Sequence, residues 1–293
     1  MSISLSYGES TDEDDEDDVL QNRESNHADV IVRYDECLGK GAHGIVYKAL
    51  YRGREVAVKE LTSARSAKKL INEITIMQAF LDAPQILSLL GHCPTSHRLI
   101  LPLKKNGDLR KYLRKNGSPL TFFRKVKLAI DICTGLSLLH QSGYVHGDIS
   151  SSNILIDTDA SACLCDFGLS RKSENMVLFG NLYYAAPEHY QRLPYTKASD
   201  VFSLGLVLHE VFFSPSPHVG AQRSKFIREK EEISHAYPSH PRRIVDLFMF
   251  NGDEHGLKML ITCCLDMDAT CRPTIDQVLS VLQNENRMMR GIV

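Results

Sequence analysis

A chain of 293 residues and 32.9 kDa is long enough for one large domain or two lobes around a substantial hydrophobic core. With 43% apolar and 24% charged residues, 11 prolines, 18 glycines and no tryptophan, its composition is that of a globular protein and excludes collagen, a coiled coil and wholesale disorder. No run nears the about 18 uninterrupted apolar residues of a membrane helix, the N-terminus has no signal-peptide pattern, and a net charge of -2 without a dense basic patch speaks against nucleic acid, so a cytoplasmic protein without membrane or nucleic-acid partners is expected.

The first 28 residues hold nine acidic side chains against one base, Arg23, and few apolar residues. Such a block cannot bury enough surface to offset its ordering entropy and reads as a disordered tail. Two uses are open for it: solubilisation, or docking on a basic face of the folded part with Ser10 or Thr11 as a phosphorylation site. Residues 29–293 form the folded part. Its eight cysteines need no disulfide framework, and Cys163, Cys165, Cys263, Cys264 and Cys271 lack the paired spacing of a zinc site, so reduced thiols and no structural metal are expected.

From Val30 the texture changes to short alternating or β-branched runs, which predict strands over Val30–Arg33, Ile45–Ala49, Val56–Lys59 and Leu99–Leu103. One helix is predicted among them, over Ser63–Phe80, with Leu70, Ile74 and Met77 as its buried stripe. After Gly107 the periodicity becomes helical over Leu109–Leu113, Phe122–Leu139, Ala198–Phe212, Leu257–Cys264 and Ile275–Gln283. The fold class is therefore α+β and bilobal, with a β-rich N-lobe over 29–104 and an α-helical C-lobe over 105–293. The basic cluster Arg223 to Lys230 and the pair Arg242-Arg243 read as a solvated charged face or a dock for an acidic partner, including the tail.

Leu38-Gly39-Lys40-Gly41-Ala42-His43-Gly44-Ile45-Val46 contains G-x-G-x-x-G. A Walker loop needs Lys after the last glycine and a Rossmann turn must open a helix; Ile45 instead begins a strand, leaving a β-hairpin over phosphates or an ordinary turn. Val56-Ala57-Val58-Lys59 then puts a lysine in a buried strand, and a buried ammonium is costly unless paired. Glu73 lies within the apolar stripe of the 63–80 helix, points inward with Leu70 and Met77, and is the expected partner. The other account of the pair is an ordinary, partly exposed ion pair.

His146-Gly147-Asp148-Ile149-Ser150-Ser151-Ser152-Asn153 is followed by Ile154-Leu155-Ile156, Asp166-Phe167-Gly168 and Ala186-Pro187-Glu188. In this order and spacing the sequence resembles the eukaryotic-type protein kinase family over roughly residues 33–285. The resemblance implies phosphoryl transfer, with ATP and Mg2+ as cofactors and a protein as substrate. Asp148 would orient or accept the proton of the substrate hydroxyl, Lys59 held by Glu73 would meet two phosphates, and Asn153 and Asp166 would hold magnesium. Gly39, Gly41 and Gly44 would cover the phosphates, while Leu38, Val46, Ala57 and Leu155 would sandwich the adenine. Leu101 stands at the gatekeeper position, and Lys104 closes the hinge Pro102-Leu103-Lys104 that offers backbone groups to the base. Structural roles are implied for His146 and Phe167 as packing residues, for Glu188 paired with Arg272, and for Asp200 as the anchor of the catalytic loop.

Two departures stand out. Gly147 replaces the arginine that reads a phosphate on the activation segment 166–188, so that segment is expected to be ordered without phosphorylation or controlled otherwise; Ser170, Ser173, Tyr183 and Tyr184 remain candidate modification sites without an evident receptor. Ser150 and Ser152 occupy the positions where serine/threonine kinases keep Lys and tyrosine kinases Arg, and Asn181 replaces a usual threonine, which makes weak activity one expectation. The runs Val56–Leu61, Leu90-Gly91-His92-Cys93 and Ser199–Leu208 resemble the tyrosine-kinase-like group, and the segment before Ala186 lacks the proline typical of tyrosine kinases. A serine/threonine kinase is the leading expectation; a tyrosine or dual-specificity kinase, an ATP-binding pseudokinase scaffold and a small-molecule kinase are the alternatives.

Overall fold

A computed structural model of the chain describes residues 30–41, 44–61, 67–93, 96–115, 120–172, 180–213, 221–236 and 255–291. The acidic segment with Ser10 and Thr11, Ser173, and Arg242-Arg243 lie outside these ranges. Two compact units result, one taking the described residues up to Ala79 with Leu89–Leu103, the other Phe80–Ser88 with the chain from Lys104 onward.

The first unit is built on an antiparallel sheet of five strands: β1 (Val30–Gly41), β2 (Gly44–Tyr51), β3 (Arg54–Leu61), β4 (Gly91–Cys93) and β5 (Arg98–Pro102). Their order across the sheet is β1-β2-β3-β5-β4. Side chains alternate across a strand, and directly paired residues share a face. One face therefore gathers Ala49, Val56, Val58 and Ile100 into an apolar cluster packed by Val30, Val32 and Tyr51. The opposite face carries Val46, Ala57, Lys59 and Leu101. Helix α1 (Ala67–Ala79) belongs to this unit and buries Leu70, Ile74 and Met77, the expected stripe. Strand β4 escaped the sequence reading because three residues are too few to show alternation.

The second unit is mostly helical among its described residues: α2 (Leu109–Lys115), α3 (Phe122–Gln141), α4 (Pro187–Tyr190), α5 (Lys197–Phe212), α6 (Ala221–Ala236), α7 (His255–Cys264) and α8 (Ile275–Met289), with a two-stranded hairpin of β6 (Ile154–Ile156) and β7 (Ala162–Leu164). Caps fix several helix starts: Thr121 accepts from Arg124 N, and capping boxes join Thr196 to Ser199 and Thr274 to Gln277. Helix α5 is buried along almost its whole length and is apolar on nearly every side, as a central helix must be. Phe80–Ser88 joins this unit because Leu87 N donates to Leu164 O and Leu164 N to Gln85 O, which adds the segment to the edge of β7.

The expected α+β class, with a β-rich unit and a mostly helical unit, is the one observed; Phe80–Ser88, expected in the N-lobe, groups with the second unit instead. Helix α6 was not anticipated, and within the cluster Arg223 to Lys230 it corrects the reading of a solvated face at Lys230. Lys225 and Arg228 are exposed, but Lys230 is wholly buried between Phe226 and Ile233, one turn to either side on the same stripe.

Candidate active site

In the first unit, the β1–β2 hairpin pairs Gly41 with Gly44 and Gly39 with Val46, so the glycine-rich sequence forms a hairpin tip rather than a helix start. Ala42 and His43 lie outside the described residues. A Cβ on Gly44 would fall 2.2 Å from the Glu60 carbonyl oxygen on β3, so packing alone requires that glycine. Among the described residues, a Cβ on Gly39 would meet nothing within 4 Å, and one on Gly41 only Gly44 O at 4.0 Å. Protein packing does not demand those two glycines, which leave the backbone open to close approach by a ligand. Leu38 beside them is partly exposed.

Val46, Lys59 and Leu99 stand opposite one another across β2, β3 and β5, and Ala57 stands opposite Leu101. Lys59 Nζ donates to Glu73 Oε1 at 2.5 Å, and both side chains are buried, at 11% and 5% exposure. The pairing expected from the helical stripe is thus formed, and its burial rules out the partly exposed ion pair that was the alternative.

In the second unit, the loop 146–153 is suspended from one carboxylate. Asp200 on α5 accepts from His146 N at 2.7 Å, Gly147 N at 3.1 Å and Tyr195 OH at 2.8 Å, and meets His140 Nε2 at 2.9 Å. Burial alone would lift the Asp200 carboxyl, but the His140 hydrogen bond and charge, with His146, hold it below the ordinary aspartate value. The ring of His146 packs against Phe167 at 5.4 Å and its Nε2 meets Cys165 O at 3.2 Å, as expected of residues that pack rather than react.

Asp148 projects from this loop. Its Oδ2 accepts from Asn153 Nδ2 at 2.8 Å and its Oδ1 from Asn181 N at 3.0 Å. Burial pushes this carboxyl above the usual aspartate value; the Asn181 N–H, His146 and the Asn153 amide oppose the rise and the Asp166 charge adds to it. Asn153 also donates to Asp148 O at 2.8 Å, and its own carbonyl oxygen accepts from Cys165 N at 3.0 Å, which ties the residue before Asp166 to the loop. Asp166 has φ 64°, a left-handed conformation that costs energy for a residue with a Cβ and recurs at functional sites. Leu155 pairs with Cys163 in the β6–β7 hairpin, and the Lys104 side chain reaches Asp157 at 3.0 Å.

The donor chemistry suits a hard cation. Asn153 spends its amide hydrogens on Asp148, so its side-chain carbonyl oxygen is the atom it could offer, and Asp166 offers a carboxylate. Two oxygen donors with the remainder from water and phosphate is the pattern of magnesium.

Three features lay beyond the sequence reading. Gly180 lies so close to Asp148 that a Cβ there would sit 2.9 Å from Asp148 Oδ1 and 2.9 Å from Gly147 O. Ser151 Oγ and Tyr184 OH are 2.8 Å apart, and Tyr184 OH donates to Glu210 Oε1 at 2.9 Å. Lys230 Nζ bonds the backbone of residues 182–185. These contacts join residues tens of positions apart, which local pattern cannot reveal; for Lys230 alone a signal existed, in its place on the Phe226–Ile233 stripe.

Residues 32–282 match the model of the family described as protein tyrosine and serine/threonine kinase. The chain belongs to this protein kinase family. It is 29% identical over 263 residues to the RasGEF domain-containing serine/threonine-protein kinase X of Dictyostelium discoideum, a match covering 86% of this chain and 26% of that protein. It is 28% identical over 268 residues to the dual specificity protein kinase shkC of the same organism, covering 86% and 51%. Against the leaf rust 10 disease-resistance locus receptor-like protein kinase-like 1.1 of Arabidopsis thaliana the identity is 30% over 280 residues, covering 86% and 44%. The kinase thus spans between about a quarter and a half of the length of these relatives.

The departures of this kinase from the family pattern are local. Gly147 takes φ 81°, its N–H on Asp200. Ser150 and Ser152 face each other with Oγ atoms 3.3 Å apart and bring no charge. Asn181 accepts from Tyr183 N through its side chain at 3.2 Å while its own N–H goes to Asp148. Ser170, Tyr183 and Tyr184 are buried, at 0%, 3% and 4% exposure, which corrects their candidacy as modification sites: a modifying enzyme could not reach them in this conformation. Among the described residues, no helix of this kinase is long and apolar enough to cross a membrane.

Proposed function

We propose that this chain transfers the γ-phosphate of ATP to serine and threonine hydroxyls of protein substrates, with Asp148 as the group that orients and deprotonates the hydroxyl. The observation that carries this reading is the Asp148 carboxylate itself. Each of its oxygens is fixed by one donor, Asn153 or the Asn181 N–H, and burial raises its proton affinity toward that of a useful base. Leu38, Val46, Ala57, Leu101 and Leu155 would enclose the adenine, with backbone groups near Lys104 along its edge. Gly39, Gly41 and Gly44 would admit the phosphates, and Lys59, steadied by Glu73, would neutralise two of them. Asn153 and Asp166 would hold magnesium, which when bound offsets the negative charge of the phosphates.

Ser150 and Ser152 give the transferred phosphoryl group no cation, so the proposed enzyme works without a charge there; where an arginine finger supplies one in phosphoryl transfer it is worth about 10³ to 10⁵ in rate. The reading also puts the protein in the cytoplasm and makes the acidic first 28 residues an intramolecular ligand for the exposed bases of α6. The test is incubation with magnesium and ATP labelled at the γ-phosphate, with a generic protein substrate, followed by identification of the labelled residue type. Label on serine and threonine supports the proposal. Label on tyrosine overturns the specificity, and ATP binding without any label supports a signalling scaffold instead.

A further inference from the structure

Lys230 lies on α6 and is fully buried. Its Nζ donates to the carbonyl oxygens of Leu182 at 2.8 Å, Tyr183 at 2.6 Å and Ala185 at 2.9 Å. Three acceptors meet three donors, the full complement of an ammonium group. The rings of Tyr190, Phe202 and Phe226 stand 5.6, 5.9 and 5.7 Å from Nζ, within reach of its charge. A lysine is rarely buried, because the ammonium loses its water; here backbone dipoles and aromatic faces replace that water, and all three dipoles belong to one short segment.

That segment borders Asp148. Asn181 N bonds Asp148 Oδ1, Gly180 packs on the same oxygen, and Tyr184 reaches Ser151 of the catalytic loop and Glu210 of α5. Tyr190 OH donates a second hydrogen bond to Leu182 O, Ser203 Oγ bonds Tyr184 O, and the Tyr183 ring lies 4.9 Å from Phe226 of α6. The Leu182 side chain stays 45% exposed, which leaves this segment an open side next to Asp148. At the other end of the loop, Gly147 has no side chain with which to grip a phosphate.

We propose that Lys230 is a positioning residue: an internal three-donor clamp on α6 that fixes residues 181–185 as the peptide-binding platform beside Asp148, so that this kinase needs no phosphate on its activation segment. The proposal rests on the kinase reading above, and its test separates the two. Lys230→Met keeps the stem and removes the three donors. Steady-state kinetics of this variant should show the peptide KM raised about tenfold or more while the affinity for ATP stays within about twofold. Amide hydrogen exchange should speed up at residues 181–185 and stay unchanged in α5 and the β-sheet. Phosphatase treatment should leave the wild-type rate unaltered.

Exchange that accelerates throughout the second unit, or an unchanged peptide KM, would reduce Lys230 to a packing residue and overturn the proposal, as would loss of wild-type activity on dephosphorylation. Should Lys230→Met fail to fold, Tyr190→Phe, which removes the other donor to Leu182 O, together with the phosphatase experiment decides the matter: a raised peptide KM and an unaltered wild-type rate support the clamp, and the opposite results contradict it. A wild type that binds ATP without transferring it defeats the kinase reading, whereas the exchange experiment still decides whether Lys230 holds the segment.

Discussion

Lys59 and Glu73 show how much a single pair depends on its surroundings. Each is buried beside the other, so removing one strips the other of its buried counter-charge, whereas replacing both with apolar groups of similar size is often neutral. Lys59→Met is therefore expected to lower stability by about 3 to 5 kcal/mol, and Lys59→Met with Glu73→Leu to recover most of that loss in urea titrations, while both variants lose phosphoryl transfer. Recovery of activity with stability in the double variant would remove Lys59 from the chemistry. Asp148 makes a second test at this scale. Since burial lifts its carboxyl, the acid limb of the wild-type kcat/KM profile should fall at a pH above the about 3.9 of an ordinary aspartate. A limb at or below that value would contradict the assignment.

Among the elements, α4 is a single turn anchored by a buried ion pair. Glu188 accepts from Arg272 Nη1 and Nη2, both at 2.8 Å, and from Ser199 Oγ at 2.6 Å, while the guanidinium also reaches Ala198 O at 2.9 Å and covers the Phe202 ring at 5.0 Å. Glu188→Gln leaves a buried guanidinium facing an uncharged partner and should destabilise the second unit by about 3 kcal/mol, read as a lowered urea midpoint. An unchanged midpoint would show that packing alone holds α4. Elements differ in how openly the sequence announces them. The strands β1 to β3 and the stripe of α1 are legible because alternation and 3.6-residue periodicity each run for several residues. Helix α6 is hidden because its charged residues outnumber its apolar ones, although Phe226, Lys230 and Ile233 mark the buried face in the way Leu70, Glu73 and Met77 do on α1. Asp148 and Asn153 were readable from a contiguous motif, but Asn181 and Gly180 meet Asp148 only through tertiary folding.

For the molecule as a whole, stability and function share the same carboxylates. Burial would raise Glu188, yet the Arg272 hydrogen bond and charge, with Ser199, hold it below the usual glutamate value. The stability it contributes is complete above its unfolded value of about 4.3 and is lost as the pH falls through the lower folded value. The stability gap between wild type and Glu188→Gln should thus narrow as the pH falls below about 4.3; a gap independent of pH would contradict the pairing. Asp200 follows the same sign, so acid should also loosen the catalytic loop it suspends. Asp148 runs the other way, because its ionisation in the buried site costs stability that acid returns.

The most direct test of this account compares wild type with Asp148→Asn, measuring ATP affinity and the rate of γ-phosphate transfer to a protein substrate on the same preparations. The account predicts equal ATP affinity and a transfer rate lower by at least about 10² in the variant. Equal transfer rates, or no transfer by a wild type that binds ATP, would contradict it.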